Sequence, residues 1–146
     1  MVTCMDHVVY VDVKAKELDA LLDRRKTMII RGATGRKLPY GRVNENDVLY
    51  FIKNDGSGLI QAKGVVESVY NSEKLSKEES IKLVKRYQDQ LLLSEHQFKR
   101  WGGKRYLVLI GVKGVEPVSP FKLDRSRFRN MDDWLLVENI NRVIAS

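Results

Sequence analysis

Cysteine occurs once in these 146 residues, at Cys4, and histidine twice, at His7 and His96. One thiol closes no internal disulfide, and neither histidine stands at ligand spacing from it or from the other. A disulfide-stapled scaffold and a structural zinc site are therefore not expected. No stretch approaches the roughly 18 uninterrupted apolar residues of a membrane span, so no membrane partner is expected. The opening Met1-Val2-Thr3-Cys4-Met5-Asp6 lacks a basic segment followed by an apolar one, and a cytoplasmic location is the corresponding expectation. Proline is scarce, and no repeat, low-complexity run or linker interrupts the chain. One domain over 1–146 is the simplest reading, at a length that buries a core unaided.

Charge is present in quantity and unevenly spread. From Arg24 to Arg42 there are seven bases and no acid; from Gln97 to Asn130 there are nine bases against Glu116 and Asp124. Each segment is net +7 and the remainder net −7, within a total of +7. Segregation of this kind marks a phosphate-binding surface if the two segments meet in space. The alternative is scattered, solvated surface charge.

Hydrophobic periodicity sets out the elements. His7 to Val13 and Thr27 to Arg31 read as strands, separated by a helical stretch over Lys14 to Asp23 with Leu18, Leu21 and Leu22 on one face. Gly32 to Gly41 reads as a glycine-bearing loop. Asp47 to Lys53 and Leu59 to Tyr70 are strands around the turn Asn54-Asp55-Gly56-Ser57-Gly58, with Gly64 a candidate bulge. Ser76 and Glu79 have capping-box spacing at the head of a helix running to about Leu93. A short amphipathic piece comes after Ser94. Lys104 to Val115 is a strand of central character, and Pro117 and Pro120 limit its continuation. Trp134 to Val137 is a last strand, and Ile140 to Ile144 covers one end of a barrel. The order predicts an α+β fold, a small mixed β-barrel with flanking helices.

Arg24 to Arg31, with Lys26 and Arg31 at its basic positions, resembles the G-x-K-x-x-E-x-R motif of the ASCH branch of the PUA-like superfamily. Asn46 to Phe51 resembles that family's next strand, Gly58 to Val66 its hairpin return, and Lys104 to Ile110 its late strand. The resemblance spans about residues 8 to 116 and implies a PUA-like barrel with Lys26 at the mouth of a cleft. PUA-like clefts of related families accept flipped bases. Family members resembling small amidohydrolases of acylated cytidine use a Lys, a Thr and a Glu. Of these only Lys26 has a plain counterpart; Arg24 stands for the motif glycine and Ile29 for its Glu. A catalytic residue is therefore not assigned, and catalysis is not the leading expectation. The tail, 117–146, is expected as a C-terminal extension packing on the barrel.

The candidate nucleic-acid-binding residues are Lys26 and Arg31, with Arg25 beside them; Arg36, Lys37 and Tyr40 in the loop; and Lys99, Arg100, Trp101, Arg125 and Arg127. Bases beside an aromatic suit single-stranded nucleic acid, where a ring stacks and cations hold the backbone. Arg125, Arg127 and Arg129 share a face if the segment is extended. Each has a plainer alternative. Lys26 can be an exposed lysine at a helix end, Arg31 an ion-pair partner of Glu67 or Asp47, and Trp101 a core anchor. His7 and His96 read as structural, and Asp132-Asp133 as a turn or cap before Trp134. Gly32 to Lys37 lacks the GxxxxGK[ST] spacing of a triphosphatase loop. RNA is the expected partner and DNA the alternative, with no cofactor or metal. A hydrolase of modified nucleosides or RNA, with Glu67, Glu78 or Glu79 as acid/base, and a reader of modified DNA bases are the other readings.

Overall fold

The computed structural model describes residues 4–128 and 132–145. Six strands form one sheet: β1 (Asp6–Val11), β2 (Met28–Ala33), β3 (Val48–Lys53), β4 (Leu59–Asn71), β5 (Tyr106–Lys122) and β6 (Trp134–Glu138). Their spatial order is β2-β5-β4-β3-β1-β6, with β1 and β3 parallel and the other neighbours antiparallel. The sheet curls into a half-barrel whose two edges, β2 and β6, are not hydrogen-bonded to each other. Helices α1 (Glu17–Leu22), α2 (Lys77–Arg86), α3 (Gln88–Leu91) and α4 (Glu95–Trp101) flank it.

Side-chain alternation along each strand sorts the core into three parts. Val9, Ile29, Ile110 and Trp134 point into the curl, where Leu18 and Leu21 of α1 join them. Their neighbours Val8 and Leu135 face outward, beneath Ile140 and Val143 of the tail. Ile30, Leu107 and Leu109 face outward on the other flank, against Val84, Leu91 and Trp101 of the helices. The β-branched and aliphatic runs thus serve both faces at once, as buried strands must.

β1 ends at Val11, α1 is shorter than Lys14 to Asp23, and β2 takes in Gly32 and Ala33 from the expected loop; two further differences are larger. β5 does not stop before the prolines but continues through Pro117 and Pro120 to Lys122. The register break against β4 between Ile60 and Ala62, which face Phe121 and Pro117, absorbs Pro120 and borders Pro117; another, between Lys63 and Val65, falls at Gly64. An irregular ladder leaves proline's missing N–H without a bond to lose. The long helix also divides: Tyr87 closes α2, and Leu92, in the left-handed region at φ 47°, closes α3. Both predicted starts are capped. Ser76 with Glu79 and Ser94 with Gln97 form reciprocal capping boxes.

The turn after α1 sets the conformation of Arg24. Arg24 N–H donates to Leu21 O at 3.1 Å and Arg25 N–H to Ala20 O at 3.0 Å, the paired bonds of a Schellman turn. Its left-handed residue is Arg24, at φ 63°. A glycine would take this conformation without strain. Arg24 itself is exposed, so its bulk does not narrow a cleft; the cost of replacing glycine is conformational.

Candidate nucleic-acid interface

A cleft of about 630 Å³ opens where the curled sheet fails to close. Tyr10 and Val11 of β1 form one wall, Ile30 and Arg31 of β2 the other; α4 contributes His96, Gln97, Arg100 and Trp101. Asp12 to Lys14, Glu17, Asn54, Asp55, Arg125, Asp132 and Asp133 complete the lining. Its charge is mixed: Lys14, Arg31, Arg100 and Arg125 stand against Asp12, Glu17, Asp55, Asp132 and Asp133. The lining as a whole is thus not the uniformly basic surface that charge segregation suggested. Local pairing explains the difference, because most of these carboxylates already hold a backbone amide or a base.

Arg31 bridges the open seam. It leaves β2 toward β1, donating from Nη2 to Tyr10 O at 2.6 Å and from Nη1 to Ile30 O at 2.9 Å. Its Nε lies 3.4 Å from Asp133 Oδ1, and its guanidinium stands 5.7 Å from the ring centres of both Trp101 and Trp134. Neither Glu67 nor Asp47 is among these partners; Asp133 takes that place. Asp133 also receives Arg100, Nη2 to Oδ2 at 3.1 Å. Next to it, Asp132 pairs through Oδ1 with Lys37 Nζ at 2.9 Å, and its carbonyl accepts from Arg125 Nη2 at 3.4 Å. Bases of both basic segments therefore meet on two consecutive acids. Those acids do more than turn the chain ahead of Trp134.

Lys26 lies deeper than the mouth of the cleft, with only 2% of its surface exposed. Its Nζ is 3.2 Å from Glu17 Oε2 and donates to the carbonyl of Leu91. Burial pushes its pKa below the usual lysine value, Glu17 opposes that shift, and the nearby positive Arg31 adds to it. Glu17 Oε1 in turn accepts from Asp12 N–H at 2.9 Å, so this carboxylate stands between the cleft and the lysine. A carboxylate for Lys26 was thus missed in the sequence. Glu67, Glu78 and Glu79 are exposed, and Glu79 is engaged in a cap. The signal was Glu17's place four residues before Leu21, on the helix's apolar stripe, where an acid needs a partner.

The remaining candidates are spread around this centre. Arg36 lies over Tyr40 and Tyr106, 5.7 and 5.5 Å from their centres, and Tyr40 Oη donates to the carbonyl of Ser72. With Lys37 the two tyrosines border a small depression beside Arg31, so the glycine-bearing loop is anchored to the barrel. At the start of that segment Gly32 permits close packing of β2 on β5, since a Cβ there would lie 2.7 Å from Leu107 Cδ2. Trp101 is buried against Ile30 and Leu107, with Arg100 at 4.3 Å over its ring, an arrangement that fits the core-anchor alternative. Arg125 stands 5.5 Å from the Tyr10 ring. Arg25, Lys99 and Arg127 are exposed; the first two pair with Asp23 and Glu95. Arg125 to Arg127 form a 3-10 turn rather than an extended track, and Arg129 lies outside the described residues.

His7 is structural in a specific way. Trp134 Nε1–H donates to His7 Nδ1 at 3.0 Å, so the ring proton must sit on Nε2, which donates to Asp47 Oδ2 at 2.8 Å. Asp47 also accepts from the amides of Met5 and Asn44. Burial lowers the His7 pKa, against the raising effects of Asp47 and Asp6. His96 lines the cleft. Among the described residues no cluster of His, Cys, Asp or Glu is arranged to hold a metal ion, and no helix is long and apolar enough to cross a membrane.

A curled mixed half-barrel with flanking helices and a cleft at its seam defines a PUA-like α+β domain. Solved structures place it more narrowly. The ASCH protein of Zymomonas mobilis superposes with a TM-score of 0.66 at 14% identity, covering 97% of both chains. A tyrosine-to-phenylalanine mutant of that protein gives 0.69 at 15%, covering 94% of both. The N-terminal domain of McrB from Staphylothermus marinus gives 0.53 at 12%, over 97% of this chain and 92% of that one. The chain thus has the ASCH-type fold, the fold that the resemblance at Lys26, Arg31 and Asn46 to Phe51 implied. No family model and no curated protein matches the sequence.

Proposed function

We propose that this protein binds single-stranded nucleic acid, RNA in preference to DNA, across the cleft at the barrel seam. The observation that carries the reading is the convergence of the two basic segments, with Arg31 and Arg100 sharing Asp133 and Lys37 and Arg125 meeting at Asp132. A volume of about 630 Å³ falls in the range of small-ligand sites and suits a nucleotide with its flanking phosphates. Lys14, Arg100 and Arg125 supply phosphate donors at its rim, and Arg36 and Lys37 extend them along the loop. Asp12 and Asp55 give acceptors for sugar hydroxyls, the group by which RNA differs from DNA.

Fluorescence anisotropy with a labelled single-stranded RNA tests this directly. Neutralising about five phosphates gives a slope of log K on log salt of roughly −3.5. The same sequence as DNA is expected to bind more weakly. A slope near zero, or no binding at low salt, overturns the proposal.

The Lys26–Glu17 pair favours a second reading, a hydrolase of a modified nucleoside or of RNA. Glu17 at the cleft would act as acid or base, with Lys26 behind it setting its charge. Ile29, buried in the curl, offers no hydroxyl nucleophile, so acylated cytidine is expected to be turned over near background. Sustained deacylation above roughly 1 s⁻¹ that is lost in Glu17→Gln would establish the second reading instead.

A further inference from the structure

We infer that Asp132 and Asp133 are specificity-determining residues that stand in for nucleic-acid phosphates and make the site prefer a strand to a single nucleotide. This rests on the binding proposed above and goes further, because it says which anion already occupies the cationic positions. Asp133 holds Arg31 and Arg100 at 3.4 and 3.1 Å, and Asp132 holds Lys37 at 2.9 Å. The bases a phosphate would seek are thus met by two carboxylates on adjacent residues.

These carboxylates can be displaced without unfolding the segment that carries them. The backbone at 132 and 133 is fixed separately: Tyr10 N–H donates to Asp133 O at 2.9 Å, and Arg125 Nη2 to Asp132 O at 3.4 Å. The carboxylate side chains are 25% and 33% exposed, and Lys37 is 62% exposed. The exposed Lys37–Asp132 and Arg100–Asp133 pairs contribute little to stability, under about 1 kcal/mol, so rotating them away costs little; Arg31 is buried, so Asp133 leaves it only as an incoming phosphate takes its place. A side-chain rotation would open the site.

The preference arises from competition. A tethered carboxylate is present at an effective concentration in the millimolar range or above. A free nucleotide brings one phosphate and must displace it alone. A strand brings linked phosphates, so releasing one acid makes the second exchange intramolecular. If the internal pairs are favoured roughly tenfold, the affinity of a mononucleotide is reduced by that factor.

The test uses the full chain as wild type, Asp132→Asn, Asp133→Asn and the double variant. Asparagine keeps the shape and one acceptor oxygen while removing the charge. The probes are a labelled ten-nucleotide oligouridylate and uridine 5′-monophosphate. The double variant is expected to bind the monophosphate about tenfold tighter and the RNA tighter by a smaller factor. Its salt slope on RNA should steepen by roughly 1.4, the contribution of two further phosphates. Glu116→Gln, the same charge change on an exposed pair with Lys63 outside the cleft lining, is the control and should gain less than about twofold, as screening predicts.

If Asp133→Asn does not fold, Asp132→Asn alone decides, with a gain on the monophosphate expected at that exposed pair. Wild type binding RNA with the expected slope while the folded variants gain nothing, or no more than Glu116→Gln, overturns this inference and leaves the binding proposal standing. No binding by any of the proteins overturns both.

Discussion

Asp133 and Trp134 are adjacent in the chain and enter opposite kinds of polar network. Trp134 closes a chain through His7 to Asp47 in which every member is buried. Asp133 joins Arg31 to Arg100 at the edge of solvent. The members of the first network are buried and hold one another's polar groups, so its geometry is fixed by desolvation. The second can trade partners with solvent or a ligand. One β-strand entrance thus separates groups that hold the fold from groups available to bind.

The sharpest way to break that division is at Glu17. Glu17→Ala strands the Lys26 ammonium in the interior and is expected to cost about 3–5 kcal/mol in urea denaturation. Glu17→Leu with Lys26→Met removes both charges and should recover most of that loss. The Lys26 pKa is already depressed in the folded state. As pH rises the folded Glu17→Ala variant therefore loses its proton before the unfolded chain does, and its stability should increase with pH. A variant as stable as wild type would show that Lys26 is hydrated in solution.

His7→Ala leaves the Trp134 indole and Asp47 without their shared partner and should cost about 3 kcal/mol, from unsatisfied buried groups and the space left behind. The same residue predicts a pH response. Its folded pKa is lowered from 6.5, so below about that pH the unfolded chain takes up a proton that the native ring refuses. Stability is fully present above that pH and falls as pH drops from it toward the folded pKa. Thermal melts at pH 7 and 5.5 check this, and His7→Gln should move the onset of the loss down into the carboxylate range.

Arg24→Gly isolates backbone strain from charge pairing. Relieving a left-handed arginine at φ 63° is expected to stabilise the protein by about 1 kcal/mol. An unchanged melting temperature would mean that the gain is offset by the unfolded chain's added freedom. On the binding side, Lys37→Ala should change stability by less than about 1 kcal/mol. In the Asp132→Asn background, where Lys37 has no internal anion, it should also flatten the RNA salt slope by roughly 0.7, one phosphate's share. If it destabilises the fold as His7→Ala does, the distinction between the two networks fails.

Much of the fold was legible because strands and helices announce themselves locally. Val8 to Val11 and Tyr106 to Ile110 are runs that only buried strands satisfy, and Ser76 with Glu79 marks a helix start by chemistry four residues long. The site was legible only in part. Arg31 and Arg100 could be singled out as bases, but what each base holds depends on pairings across the seam. Asp133 lies 102 residues from Arg31 in sequence, and no local pattern connects them. The burial of Lys26 was hidden for a related reason. The Schellman turn at Arg24 folds the chain back so that Lys26 N–H reaches Ala20 O at 3.1 Å, returning the lysine alongside the helix it had just left. Trp101 beside two glycines fitted a stacking platform and a core anchor equally well until its neighbours were known.

A barrel closed by a continuous backbone ladder has no seam; this one is a split ring held across its gap by side-chain clasps. Arg31, reaching from β2 to Tyr10 O and Asp133, is the buried clasp, and Lys37 on Asp132 the exposed one. The hydrogen-bonded wall is interrupted along one line, so local opening is expected there first, as a widening of the gap. Whatever loads the seam acts on the end of a lever, with the whole half-barrel as its arm.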